Sequence, residues 1–247
     1  MATNGPTAAA EPGVVSVPPV APTIPPLQNG DRLTAEEFWR RCEAMPSVNK
    51  AELIEGVVYM PSPVSHDYHG SPHFDLIGWL FLYRMATPGV EGGDNSTLRL
   101  DKKSVPQPDG FLMVAPGFGG QATIDSNGYV ISGLELAGEI SATSASIDLG
   151  DKLIGYRRNG IREYVVWRVF DKAIDWFVLR GDQFDRLAPD GNGIYRSEVF
   201  PGLWLDPAAL VARDVVGMAR VAQQGTNSPE HAASVARLQQ QAAAPRK

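Results

Sequence analysis

The sequence predicts a single α/β domain, on three observations. Hydrophobic residues make up 43% of the 247, enough to bury a core in one domain with tails. The apolar pattern runs from helical at the start to mostly short strands. One sharply bounded amphipathic helix then sits between two strand-like runs. Five Trp, nine Phe and seven Tyr argue against wholesale disorder.

The elements follow in order. Residues 1–30 hold seven prolines among Ala, Gly, Thr and Val, a composition that favours extended polyproline backbone and reads as a flexible tail. Thr34 with Glu37 three residues on forms a capping box ahead of Phe38, Trp39 and Cys42. Leu53 to Met60 reads as strand, with Gly56 turning it into a hairpin. Ser71 to Thr87 reads as a helix whose apolar face is Phe74, Ile77, Leu80 and Leu82 to Met85, ended by Pro88-Gly89. Strands follow at 96–100, 108–114 and 134–141, with a short hairpin partner around 129–131. Asp148 is a good N-cap, Leu149, Leu153 and Tyr156 form a stripe, and Gly160 closes the helix. Residues 163–169 and 173–179 pair as a hairpin through Asp171-Lys172, and a helix near 206–212 ends the core. The domain thus spans 31–215, and 216–247 reads as a polar tail outside the core, with a short helix at 232–241.

The net charge is −6, which lends no electrostatic footprint for nonspecific nucleic-acid binding. Cys42 is the single cysteine, which excludes an intramolecular disulfide framework or a thiolate zinc site. The first basic residue is Arg32, so the N-terminus lacks the positive region of a secretory signal. The longest strongly apolar run, Leu76 to Tyr83, is too short for a bilayer span. A soluble, cytoplasmic protein that does not engage a membrane is the expectation.

Four charged residues stand out. Asp109 opens an apolar strand after Pro108, and Glu139 lies mid-strand between apolar neighbours, where an acid is costly unless paired, protonated or bound to a cation. Alternation puts Glu135, Ala137, Glu139 and Ser141 on one face. Lys152 lies in the first turn of the helix after that strand, and Glu52 precedes Leu53-Ile54. An ordinary solvated face explains any one of these as readily as a site does.

The ordered set Glu52-Leu-Ile-Glu-Gly56, Met60-Pro-Ser-Pro63, Gln107-Pro-Asp109, Glu139-Ile-Ser141, Asp148-Leu-Gly-Asp-Lys152, Tyr156 to Tyr164 and Phe200-Pro-Gly-Leu-Trp-Leu205 resembles the Uma-type restriction endonuclease family of the PD-(D/E)XK nuclease superfamily. The resemblance runs from about Leu33 to Asp214. It implies a restriction-endonuclease-like mixed central sheet flanked by helices, with an additional late β-hairpin. It also implies a Mg²⁺- or Mn²⁺-dependent endonuclease acting on DNA. Asp109 and Glu139 would be the metal ligands, Lys152 the catalytic lysine displaced from position 141, where Ser stands, and Glu52 the supporting acid. The sequence departs from the family just before Glu139, where Gly138 weakens a strand interior.

Arg157, Arg158, Arg162 and Arg168 offer a local basic groove for phosphates despite the acidic total. The competing expectation is a catalytically silent homodimeric interaction protein that keeps the fold and buries its late hairpin between copies. His69 and His73 have a spacing that can hold zinc, but no Glu adjoins His69 and no third ligand is evident. His69 fits better at the mouth of the nuclease site. Gly117 to Gly120 lacks the lysine of a phosphate loop, and Trp167 and Trp176 read as core.

Overall fold

The structure is a computed structural model that describes residues 1, 24–48, 50–60 and 62–244. Most of the proline-rich segment lies outside the described residues.

Helix α1 (Ala35–Glu43) begins where the Thr34 hydroxyl accepts the Glu37 amide. The Glu37 carboxylate bonds Arg40 and Arg41 instead of reaching back, so half of the capping box forms. Strands β1 (Glu52–Ile54) and β2 (Val57–Tyr59) pair through Glu55 and Gly56, both at positive φ, the two-residue turn that matches hairpin twist. A π-helical turn at His66–Gly70 leads into α2 (Ser71–Ala86). Next come β3 (Val90–Gly93), β4 (Leu98–Arg99), β5 (Gly110–Val114), β6 (Thr123–Ile124), β7 (Val130–Ile131) and β8 (Leu136–Ser141). Helices α3 (Ala145–Asp148) and α4 (Asp151–Arg158) cross to β9 (Glu163–Arg168), followed by β10 (Ala173–Arg180) and β11 (Gln183–Arg186). The chain closes with β12 (Tyr195–Arg196), β13 (Trp204–Leu205), α5 (Pro207–Ala212), α6 (Val215–Thr226) and α7 (Pro229–Ala243).

The central sheet has the order β11-β10-β9-β8-β5-β3. Only β8 and β9 run parallel in it, and a parallel pair requires the helical crossover that α3 and α4 supply. Leu76, Trp79, Leu80 and Tyr83 of α2 cover one face over Leu136, Ile140, Trp167 and Trp176. Tyr156 of α4 covers the other with Ala137, Tyr164 and Phe177. The late hairpin β9–β10 is present and pairs within this sheet.

Paired glycines set how closely α2 lies on the sheet. Gly110 of β5 and Gly138 of β8 are partners. A Cβ on Gly110 would meet Ile77 at 2.9 Å and Leu80 at 3.1 Å, and one on Gly138 would meet Leu76 at 3.3 Å. Gly138 therefore makes room for α2, and Glu139 follows it, paired with Val166 of β9 where the β5 pairing has ended.

Several expectations are corrected. The face that α2 buries is Leu76, Trp79, Leu80 and Tyr83, whereas Phe74 and Met85 are exposed. The helix is apolar nearly all round, so composition does not choose a face and the sheet does. Strand β3, beyond Pro88-Gly89, has the sequence Val-Glu-Gly-Gly, which carries no strand pattern and is held as a strand by its pairing with β5. The helix expected from Asp148 to Gly160 is broken at Gly150, where a Cβ would meet the Ser146 carbonyl oxygen at 2.4 Å. Gly160, at positive φ, closes it as expected.

Described residues outside 31–215 also pack on the core. Leu27 is buried beside Phe38 and Leu53, and Gly30 N–H donates to the Val58 carbonyl. At the other end α6 and α7 join the core. Met218 and Ala222 are buried in the α2 cluster, and His231 bonds the Thr87 hydroxyl at 2.9 Å. Val215 and Val216 are as apolar as Met218 yet exposed, so the buried face of α6 is set by what it packs on. Among the described residues no helix is long and apolar enough to cross a membrane.

Candidate active site

The two prolines of Pro106-Gln-Pro108 cannot donate ladder hydrogen bonds, and pairing of β5 with β8 stops at Gly110–Gly138. The Ile140 N–H, left without a strand partner on that side, donates to Asp109 Oδ2 at 2.8 Å. The carboxylate thus completes the ladder with one oxygen. Its other oxygen, Oδ1, faces His69 Nε2 at 3.5 Å and Lys50 Nζ at 3.9 Å.

Glu139 lies on the same side of the strand break. Its Oε1 accepts Lys152 Nζ at 3.0 Å and the Tyr156 hydroxyl at 2.9 Å. Among the described residues Oε2 has no protein hydrogen-bond donor. Glu52 comes in from β1. Its Oε1 accepts the Gln107 N–H at 2.7 Å and lies 3.1 Å from Lys152 Nζ. Glu52, Asp109, Glu139 and Lys152, scattered over a hundred residues, therefore meet in one cleft of about 310 Å³.

Asp148 is a further member of the cluster, and its reading as a helix cap concealed it. The break at Gly150 ends α3 at Asp148, whose carboxylate accepts the Ser144 hydroxyl and lies 3.8 Å from Lys152 Nζ. Lys152 is thus buried among three carboxylates. The i, i+4 spacing of Asp148 and Lys152 is the signal that could have found it.

Four carboxylates, Glu52, Asp109, Glu139 and Asp148, face two ammonium groups, Lys50 and Lys152. Burial pushes Glu139 well above the ordinary carboxylate range, with Lys152 opposing, and raises Asp148 in the same way. Burial alone would discharge Lys152, but Glu139, Glu52 and Asp148 outweigh it and hold its pKa above the ordinary value. Lys152 is charged, and burial opposes full ionisation of the surplus carboxylates Glu139 and Asp148. A dry cluster with excess carboxylate has a built-in demand for positive charge.

Burial also lowers the pKa of His69, against the pull of Asp109, so its imidazole is neutral near pH 7. Its Nδ1 is buried without a partner among the described residues. His73 instead bonds the Asp109 carbonyl at 2.6 Å, and His66 is exposed. The histidines take separate partners.

The expected arginine groove does not form. Arg158 pairs with Glu55 and Asp101, Arg168 with Asp171 and Asp175, and Arg162 bonds Gln121. Arg157 reaches Asp182 and Gln183. Each guanidinium has a nearer acceptor than a phosphate, which sequence spacing does not reveal. Trp167 and Trp176 are core residues.

The sequence matches the Uma2 family, described as "Putative restriction endonuclease", over residues 35–208. No curated protein matches it. Among solved structures it is similar to a crystal structure from Anabaena variabilis, described as "a putative nuclease belonging to DUF820". The TM-score is 0.50 at 13% identity, over 72% of this chain and 99% of that one. At that identity the likeness concerns the fold, a mixed sheet flanked by helices. The family match spans most of the chain and includes every residue of the acidic cleft, so the protein belongs to the Uma2 family of restriction-endonuclease-like proteins.

Proposed function

We propose that the protein is a Mg²⁺-dependent endonuclease that hydrolyses DNA phosphodiester bonds in the cleft of Glu52, Asp109, Glu139 and Lys152. The observation that carries this reading is the surplus of buried carboxylate around one charged lysine, with Asp109 Oδ1 and Glu139 Oε2 not committed to backbone amides. Among the described residues no three His, Cys, Asp or Glu side chains converge on a metal-sized point. Mg²⁺ keeps several waters and needs only one or two carboxylates; Mn²⁺ has the same oxygen preference. Asp109 and Glu139 would hold the cation. When bound it supplies positive charge to the phosphate and makes water easier to deprotonate.

The chain's own residues do the rest. Lys152 is a point charge at the cleft floor, placed to steady the negative charge that grows on the phosphate. Glu52 and Asp148 keep it charged and aimed. Tyr156 and Lys152 share Glu139 Oε1 and so orient Oε2. In hydrolysis the water oxygen forms the new bond to phosphorus, the bond to the leaving oxygen breaks, and a proton passes to that oxygen.

One observation favours a second reading, that of a catalytically silent dimeric protein: Lys152 already satisfies three carboxylates as a structural ion-pair cluster. Incubating the purified chain with plasmid or single-stranded DNA and Mg²⁺ or Mn²⁺ separates the two. Nicking that Asp109→Ala and Lys152→Ala both remove is expected. Absence of activity across metals and substrates, or activity unchanged in both variants, would overturn the nuclease reading.

A further inference from the structure

The cleft does not end at the acidic cluster. Gln107, two residues before Asp109, lines both the cleft and a neighbouring cavity of about 580 Å³. Its backbone N–H holds Glu52 on the cleft side, and its side-chain amide donates to the Thr97 hydroxyl at 2.8 Å. Two extended residues span at most ~7 Å, about two steps of a stacked nucleic-acid strand. Gln107 therefore brings a wall of this cavity to within ~7 Å of Asp109 along the backbone.

The cavity is built around half-buried Trp39 of α1 and Tyr129 of the loop before β7, whose rings lie 4.9 Å apart. The Arg99 guanidinium sits 4.9 Å from the Trp39 ring centre and 5.9 Å from that of Tyr129. Asp125 holds Arg99 at 2.9 Å, and with its other oxygen caps the amides of Asn127 and Tyr129. The aromatic surface is thus fixed by the turn that joins β6 and β7. Trp39 and Arg99 also line a second cavity of about 600 Å³ on the side of Lys102, so the ring is reachable from two sides.

Charge decides what can enter. Arg99 is spent on Asp125, and Glu43 lies on the rim. Among the described residues that line the cavity shared with Gln107, Arg99 is the only cation, so a phosphate there would compete with Asp125. A neutral, flat group that stacks and hydrogen-bonds at its edge is suited to it, with Trp39 and Tyr129 for the face and Asn127 and Gln107 for the edge.

We propose that the Trp39–Tyr129–Arg99 cavity is a stacking subsite for an unpaired nucleobase of the strand whose phosphate is held at Asp109. It rests on the nuclease reading above and deepens it: the preferred substrate is a DNA strand with at least one unpaired base beside the cut. A paired base is already stacked on its neighbours and cannot enter.

The test uses the full chain with labelled oligonucleotides of one sequence, single-stranded and duplex, followed by fluorescence anisotropy in Ca²⁺ and by cleavage in Mn²⁺. Trp39→Leu is expected to weaken single-strand binding about tenfold, with duplex binding little changed, and Trp39→Phe to restore most of it. An abasic site moved along the strand is expected to reproduce the loss at one position only, a fixed distance from the cut, and there Trp39→Leu adds nothing further. Tyr129→Leu, which leaves Trp39 in place, is expected to cause a smaller loss of the same kind, so the inference does not hang on one variant folding. If the wild type cleaves and Trp39→Leu and Tyr129→Leu bind single strands as it does, the subsite is overturned and the nuclease reading stands. Equal losses for single strand and duplex in both variants would also overturn it. If the wild type neither binds nor cleaves DNA, the nuclease reading falls and the subsite falls with it.

Discussion

The Tyr156 hydroxyl and the Lys152 ammonium donate to the same oxygen of Glu139, at 2.9 and 3.0 Å. Two donors on one carboxylate oxygen fix the plane of the group and leave its second oxygen for another partner. Tyr156 is itself held in the core against Tyr164, with ring centres 4.9 Å apart, so the orientation of Glu139 is inherited from the hydrophobic core. Tyr156→Phe keeps the ring and removes the hydroxyl. The expected result is a stability loss of about 1–2 kcal/mol in urea melts and a several-fold rise in the Mg²⁺ concentration needed for half-maximal cleavage. An unchanged Mg²⁺ requirement would mean that Tyr156 does not orient Glu139.

Lys152 is the only ammonium among Glu52, Glu139 and Asp148 in the described cluster. Removing one partner of a buried ion pair strands the others. Lys152→Met is expected to lose about 3–5 kcal/mol of stability near pH 7. The carboxyls it leaves behind are pushed further up, so the folded variant takes up protons more readily than the unfolded chain. Its deficit relative to wild type therefore shrinks as pH falls. Urea melts at pH 7 and pH 5 read this directly, and an equal deficit at both would contradict it.

Glu163 is a buried acid away from the cleft. It accepts the Ser197 hydroxyl at 2.6 Å and the amides of Glu198 and Val199 at 2.7 and 3.2 Å. Burial nevertheless pushes its pKa from the ordinary 4.5 up to about 7. Below the unfolded value both states hold the proton and the contribution is fully present. It is lost as pH rises through the folded value. Wild type is expected to lose roughly 3 kcal/mol relative to Glu163→Gln between pH 4.5 and pH 8. Parallel stability profiles for the two proteins would show that Glu163 does not titrate in this range.

Gly110 admits α2 to the sheet one residue after Asp109. A branched side chain there would push against Ile77 and Leu80. Gly110→Val is expected to cost about 1–3 kcal/mol by overpacking and to reduce cleavage more than Leu76→Ala, which loosens the same contact without lifting the helix. Melting curves and initial rates of both variants decide it. Equal activity in the two would show that the helix position does not matter to Asp109.

Much of this protein is readable from the chain alone. The Thr34 cap, the Glu55-Gly56 turn, the Gly160 helix stop and the β9–β10 hairpin are local events, set by residues a few positions apart. The positions of Glu52, Asp109, Glu139 and Lys152 stand in ordered short motifs, and the family relation follows from that order. Other features depend on what the elements meet in space. The nearly all-apolar α2 acquires a buried face only against the sheet, and α6 and α7 become core by docking on α2, on β13 and on the turn at 116–118. The four arginines expected at a phosphate groove are each claimed by nearby acceptors. Asp148 enters the cluster because Gly150 breaks the helix, and Gln107 joins the acidic cleft to the Trp39 cavity because two prolines end a ladder. Pairwise electrostatics and close packing act over ångströms between residues far apart in sequence, and only the tertiary structure supplies those distances.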